Sequence, residues 1–330
     1  MRIIVYGIGA VGGIVAGMLA RSGEKVLAIA RGRMLDALKR APLHVSFVDH
    51  EYDQTLDVVG APGEIGFAPG DVVLLCMKAQ DTQDAFAALK ATAPADTPVV
   101  SMQNGVANEP LLAQHFRNVY GVVVQIPCRY MTPGHVEAYC QPAPAIADIG
   151  RYPSGVDALA REIAARFDRA GIESRALPDI MRWKYQKLLV NLCNAIEATS
   201  VEAFHDQRLK ALVRDEGRAV LRAAGIDAAS DAEDYARRGD RQILKPIKGV
   251  AREGGSTWQS LARGRPLETD HLTGEIVRLA TAHGAPAPLN TYFLALLREL
   301  ARTGAPPGSF PAARIYRELA PFLGERLTGS

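Results

Sequence analysis

RIIVYGIGAVGG, residues 2–13, opens with a strand and turns into a helix over a run of glycines. The aliphatic run in RIIVYG (2–7) has no polar alternation, the signature of a strand buried on both faces. Gly7, Gly9 and Gly12 then follow in G-x-G-x-x-G spacing, with Ala10 and Val11 as the spacers, and the helical pattern of AVGGIVAGMLARSG (10–23) closes at Gly23. Alone, this spacing is a weak signal; between a first strand and a first helix it gains physical meaning. Gly7 permits the tight turn, Gly9 lets backbone approach a pyrophosphate, and Gly12 lets helix pack close to strand, so that an anion rests on the helix N-terminus. We read it as a dinucleotide-binding turn rather than a glycine-rich turn without ligand.

Strands and helices continue to alternate after it. KVLAIAR (25–31), DVVLLCMK (71–78), TPVVSMQNG (97–105) and NVYGVVV (118–124) read as strands, with helices at 81–92 and near 108–116. AIADIG (145–150) and GIESRAL (171–177) complete the set around a helix at about 155–170. Continuous apolar strands separated by helices predict an α/β, Rossmann-type doubly wound parallel sheet over residues 1–177. Beyond Pro178 only helical periodicity remains, at 180–200, 207–224, 256–262, 268–283 and 290–302, while 226–255 looks loop-like or weakly helical. Residues 178–330 are therefore expected to form an all-helical second domain. Gly225 and Gly284 are placed to close helices.

The bulk properties narrow the class. A chain of 330 residues favours two domains, and a formal net charge of +2 gives no basic stripe for nucleic acid. The four cysteines show no C-x-x-C spacing and the seven histidines no ligand cluster, so neither disulfides nor a metal is expected. No apolar run is long enough to span a membrane and no leader pattern opens the chain, which makes a soluble cytoplasmic protein the expectation. The apolar FLALLREL (293–300) could line a homodimer or the domain's own core.

The second strand ends at Ala30 and Arg31, with Arg33 two residues on. A site for the unphosphorylated dinucleotide usually carries Asp or Glu here; a guanidinium instead suits a 2′-phosphate, so NADPH is the expected cofactor. Lys78 and Asn104 fall at the carboxyl ends of the third and fourth strands, where ligands of doubly wound sheets lie. A solvated loop lysine and an Asn-Gly turn are their plainer readings. In MRWKYQKLLVN (181–191), Lys187 and Asn191 stand four apart and share one helix face, opposite Leu188, Leu189 and Leu192. Ser256-Thr-Trp-Gln259 also fits a capping box, and Glu268 fits the first turn of a helix, where the dipole favours a carboxylate.

Taken together these pieces resemble the ketopantoate reductase (2-dehydropantoate 2-reductase) family over nearly the whole chain. They are GIGAVGG, Arg31, CMKAQ around Lys78, MQNGV around Asn104, KLLVN with Lys187 and Asn191, and STWQSLARGRPLETDHLTG with Ser256 and Glu268. The resemblance implies reduction of a 2-keto acid, 2-dehydropantoate to pantoate in the family, by NADPH. It implies Lys187 as the catalytic acid, Glu268 as the carboxylate that organises it, and Asn191 and Ser256 as substrate ligands. Lys78 and Asn104 would stand near nicotinamide and substrate. Three positions depart from the family pattern: Ser260 where an acid is common, Thr273 where Asn is usual, and Ala195, the family's second asparagine falling one place early at Asn194. A related 2-keto acid is therefore the alternative substrate. β-Hydroxyacid dehydrogenases also place Lys and Asn four apart, but usually after a glycine-rich run that DIMRWKYQ lacks. A non-catalytic NADP(H) sensor would need the glycine turn and Arg31 but not Lys187 with Glu268.

Overall fold

The computed structural model describes residues 1–130 and 132–323, and the chain forms two compact units. One unit comprises Met1–Lys184 with Asp231–Arg252; the other comprises Tyr185–Ser230 with the chain from Glu253 onward. These are not the contiguous halves expected at 177/178.

The first unit holds every strand among the described residues. In chain order they are β1 (Arg2–Tyr6), β2 (Lys25–Ile29), β3 (Leu43–Ser46), β4 (Glu51–Gln54), β5 (Asp57–Val59), β6 (Asp71–Leu75) and β7 (Val99–Ser101). Then come β8 (Val119–Gln125), β9 (Cys128–Arg129), β10 (His135–Ala138), β11 (Cys140–Pro142), β12 (Ala145–Arg151), β13 (Ile172–Glu173) and β14 (Gln242–Leu244). Eight form one sheet in the order β13-β12-β8-β7-β6-β1-β2-β5. The order reverses at β1, which puts its carboxyl end at a topological switch point, the place where such sheets bind ligands. The sheet is parallel except between β8 and β12. A parallel return requires a crossover, usually a helix, and residues 126–144 hold only short strands, so β12 folds back against β8. The expectation of a wholly parallel sheet is corrected to that extent.

Helices α1 (Ala10–Arg21), α2 (Gly32–Arg40), α3 (Thr82–Thr92), α4 (Asn108–Leu112) and α5 (Ala158–Arg169) accompany the sheet. Alternate residues of β1 feed two cores. Ile3 and Val5 cluster with Ile14, Leu19, Ile163 and Phe167, whereas Ile4 clusters with Phe86, Leu89 and Leu112. Both faces being covered, the strand has no polar position to alternate with. A small sheet, β4-β3-β10-β9, lies against α1 and was not foreseen, because its short strands alternate with polar residues.

Helices α6 (Ile180–Thr199), α7 (Val201–Phe204), α8 (Gln207–Ala223), α9 (Asp231–Arg238) and α10 (Ser256–Ala262) follow. The last are α11 (Thr273–His283), α12 (Pro288–Thr303) and α13 (Ala312–Leu323). Apart from α9 and the part of α6 up to Lys184, they build the second unit. A Cβ at Gly217 of α8 would stand 2.7 Å from Leu192 and 2.9 Å from Leu189, so α6 crosses α8 closely on its leucine side. Phe293, Leu294, Leu296, Leu297 and Leu300 of α12 are all buried within the chain, which makes FLALLREL internal core. No helix among the described residues is long and apolar enough to cross a membrane.

Within 226–255, expected to be loop-like or weakly helical, the chain forms α9 and also the strand β14, which was not expected, and residues 231–252 belong to the first unit. Arg237 grips Asp148 with two hydrogen bonds of 2.7 and 2.8 Å, both side chains 4% exposed, and β14 pairs antiparallel with β11.

Candidate active site

The turn from β1 into α1 is sterically forced. Gly7 sits at φ +98°, and a Cβ there would lie 2.8 Å from the backbone nitrogen of Met77. A Cβ at Gly12 would overlap the carbonyl oxygen of Gly7 and stand 2.9 Å from the Cβ of Cys76. Gly9, by contrast, has nothing within 4 Å of such an atom. Gly9 is also the N-cap of α1, which starts at Ala10 and Val11 with no side-chain cap and no acidic residue in its first turn. Two glycines hold the turn down, the third leaves room above it, and the first amides of α1 have no side-chain acceptor. These residues fit a dinucleotide pyrophosphate.

Arg31 is the N-cap residue of α2, in extended conformation. Its guanidinium is 71% exposed and its Nη2 lies 2.9 Å from Asp81 Oδ1. No acidic residue occupies the first turn of α2, so positive potential gathers there.

Lys78, half-buried, precedes the 3₁₀ turn Ala79–Asp81 after β6. Asn104, also half-buried, lies in the turn after β7, where Gly105 takes φ +82°. The Asn-Gly pair therefore does serve the turn, as its plainer reading held. A polar network joins the two loops: Gln103 Nε2 donates to the Met77 carbonyl (3.0 Å) and to the Thr82 hydroxyl (2.7 Å). The Thr82 hydroxyl donates to Asn108 Oδ1 (3.0 Å), and Asn108 Nδ2 donates to the carbonyl of Asn104 (3.3 Å). Beneath them Lys184 Nζ donates to the carbonyls of Gln103 (2.8 Å) and Val122 (3.3 Å) and lies 2.7 Å from Glu109 Oε1. That pair is 2% and 0% exposed, and proximity of charge rather than an aligned hydrogen bond holds the carboxylate. Sequence reasoning missed Lys184 and Glu109. The available signal was a lysine in the 184-188-192 stripe of α6, whose other members are fully buried leucines.

In the second unit, Lys187, Asn191, Asn194 and Glu197 follow one another along one side of α6 at helical spacing. Lys187 is half-buried and Asn191 is 7% exposed. The far end of this stripe carries the start of α10: the Gly255 amide donates to Glu197 Oε2 (2.7 Å), and a Cβ at Gly255 would meet Asn194 Oδ1 at 3.0 Å. Ser256 is thus brought against the helix that bears Lys187 and Asn191.

Two local expectations are corrected here. Ser256 is not a cap: Gly255 is the N-cap of α10, and Gln259 turns its amide to the carbonyls of Glu253 (3.3 Å) and Gly254 (3.2 Å). Glu197 takes the Gly255 amide, and no side-chain cap reaches the first amides of α10. Glu268 does not begin one long helix either. It precedes a 3₁₀ turn, Thr269–His271, and Leu272 at φ −114°, ψ −93° interrupts the path before α11. Glu268 is 8% exposed, and the neighbouring Thr269 hydroxyl is buried without a hydrogen-bond partner among the described residues. The departures Ala195, Ser260 and Thr273 are buried, and the Ser260 hydroxyl donates to the carbonyl of Ser256 (2.8 Å).

No group of histidine, cysteine and carboxylate side chains among the described residues could hold a metal ion. Residues 3–152 match the family model of ketopantoate reductase PanE/ApbA, and residues 179–301 match its C-terminal counterpart. The 2-dehydropantoate 2-reductase of Pyrococcus horikoshii is 28% identical over 306 residues, covering 90% of this chain and 97% of that protein. The solved PanE/ApbA family ketopantoate reductase from Ralstonia eutropha JMP134 is 30% identical, with TM-score 0.76 and coverage of 92% of this chain and 99% of that one. D-mandelate dehydrogenase, solved with NADH and anilino(oxo)acetate, shares the fold at TM-score 0.77 and 21% identity over 92% of this chain and 99% of its own. The chain belongs to the PanE/ApbA ketopantoate reductase family, and so is a keto-acid reductase, an oxidoreductase acting on CH–OH.

Proposed function

We propose that this chain reduces 2-dehydropantoate to pantoate with NADPH, Lys187 serving as general acid. The observation that carries this is the α6 stripe: a half-buried ammonium, a nearly buried amide one turn on, and an uncapped serine docked beside the next two turns. When bound, the reduced nicotinamide supplies a hydride to the carbonyl carbon. Lys187 gives its proton to the carbonyl oxygen as negative charge gathers there, then regains one from solvent. Asn191 and Ser256 orient the substrate's polar groups without adding charge, and Glu268 supplies a carboxylate to fix the ammonium. Lys78 and Asn104 line the cofactor side, held in place by the Gln103 network.

Two further points support the finer choices. Arg31 follows β2 at the N-cap of α2, and neither β2 nor the first turn of α2 carries a carboxylate to oppose a 2′-phosphate, which favours NADPH. The Ser260 hydroxyl donates to the carbonyl of Ser256 within its own helix, so this departure from the family pattern is engaged locally, which favours retention of the family's substrate.

The test is NADPH consumption with a panel of 2-keto acids, 2-dehydropantoate and phenylglyoxylate among them. The expected result is the highest kcat/KM with 2-dehydropantoate. Lys187→Ala is expected to lower turnover about 10²- to 10⁴-fold while leaving NADPH affinity nearly unchanged. Turnover of none of the acids, or full turnover by the variant, would overturn the proposal.

A further inference from the structure

Asp81 stands at the N-cap of α3, where a carboxylate ordinarily accepts from the first backbone amides of the helix. It makes no such bond. Its side chain instead reaches Arg31, at 2.9 Å, across the end of β1. Asp81 closes the 3₁₀ turn that runs into α3, with αR backbone, so its carboxylate is not used as a cap and sits on the guanidinium to which the NADPH reading assigns the 2′-phosphate. Tyr6, the last residue of β1, marks the same spot: burial pushes its phenol up, Arg31 opposes the shift, and Asp84 and Asp81 add to it. Four groups, two of them acidic, therefore converge where the adenosine ribose of a bound dinucleotide would lie.

We propose that Asp81 is a specificity-determining residue that competes with the cofactor's 2′-phosphate for Arg31 and narrows the chain's preference for the phosphorylated dinucleotide. This rests on the reading of Arg31 as the phosphate ligand. The pair is 71% and 40% exposed, so a phosphate offering two acceptor oxygens can displace the carboxylate. Binding then sets a polyanion beside Asp81 and Asp84, and that repulsion opposes the gain. The unphosphorylated dinucleotide meets no such opposition, because its 2′-hydroxyl can donate to Asp81.

Calorimetric titration of the whole chain with 2′,5′-ADP and with 5′-AMP tests this without turnover. Asp81→Asn is expected to tighten 2′,5′-ADP roughly 3- to 10-fold and to leave 5′-AMP unchanged or weaker. Equal tightening of both nucleotides, or of neither, overturns the proposal. Arg31→Ala is the companion measurement and is expected to weaken 2′,5′-ADP at least about 10-fold. If it does not, the phosphate reading of Arg31 itself fails, a result distinct from an Asp81→Asn variant that changes nothing while Arg31→Ala weakens binding.

Discussion

At the turn from β1 into α1 the chain is shaped by side chains it leaves out, and along α6 by side chains it puts in. In the turn, two positions have no room for a methyl group and a third has unused room, so the spacing of glycines is itself the functional pattern. In α6, Lys184 and Lys187 are chemically the same residue three positions apart, and only their surroundings separate them. One is 2% exposed and salt-bridged to Glu109; the other is half-buried at the head of a polar stripe. A steric role can be recognised from spacing in one sequence. A chemical role depends on what the rest of the fold brings to the same place.

The two lysines give the largest contrast to measure. Lys184→Met leaves Glu109 buried beside no counter-charge, and loss of one partner of such a pair costs about 3–5 kcal/mol. Combining it with Glu109→Leu is expected to recover much of that loss. Lys187→Met, at a half-buried position, is expected to stay within about 1 kcal/mol of the parent while losing turnover. Thermal melts and urea unfolding of the three variants decide the matter. Equal destabilisation by both single substitutions would erase the distinction between the lysines.

The glycines give an intermediate contrast. Gly12→Ala forces a methyl group into the Gly7 carbonyl, and overpacking of this kind costs about 1–3 kcal/mol or more. Gly9→Ala has open space and is expected to change stability by less than about 0.5 kcal/mol, yet to weaken cofactor binding if the proposed approach of pyrophosphate to this backbone holds. Melting temperature and nucleotide affinity, taken on both variants, separate the two roles. Weakened binding without destabilisation at both positions would mean that the turn is less constrained than its geometry implies.

What could be read from the sequence follows the same division. The strands of the large sheet were legible because both faces are covered, leaving unbroken apolar runs such as DVVLL in β6. The antiparallel fold-back of β12 was not, since it follows from a missing crossover rather than from β12 itself. The weak helical pattern of 226–255 does not reveal β14 or its attachment to the first unit, because the anchor, Arg237 on Asp148, links residues 89 apart in sequence. Lys187, Asn191, Ser256 and Glu268 were singled out by resemblance, local pattern alone having supplied plainer readings for the last two. The structure removes those plainer readings at Ser256 and Glu268, where the cap and the continuous helix they assumed do not occur.

Ser256 therefore offers the smallest and most discriminating effect. Were its hydroxyl capping α10, Ser256→Ala would cost about 1 kcal/mol. With Gly255 as the cap residue and its amide on Glu197, the expected change is within about 0.5 kcal/mol. A serine that instead holds the keto acid loses one hydrogen bond on substitution, about 0.5–1.5 kcal/mol, which appears as a roughly 3- to 10-fold weaker kcat/KM. Stability and kcat/KM measured on the same preparation therefore move in opposite proportion under the two assignments. A fall in melting temperature with unchanged kinetics would return Ser256 to a structural role. It would also confine the polar stripe's chemistry to Lys187 and Asn191.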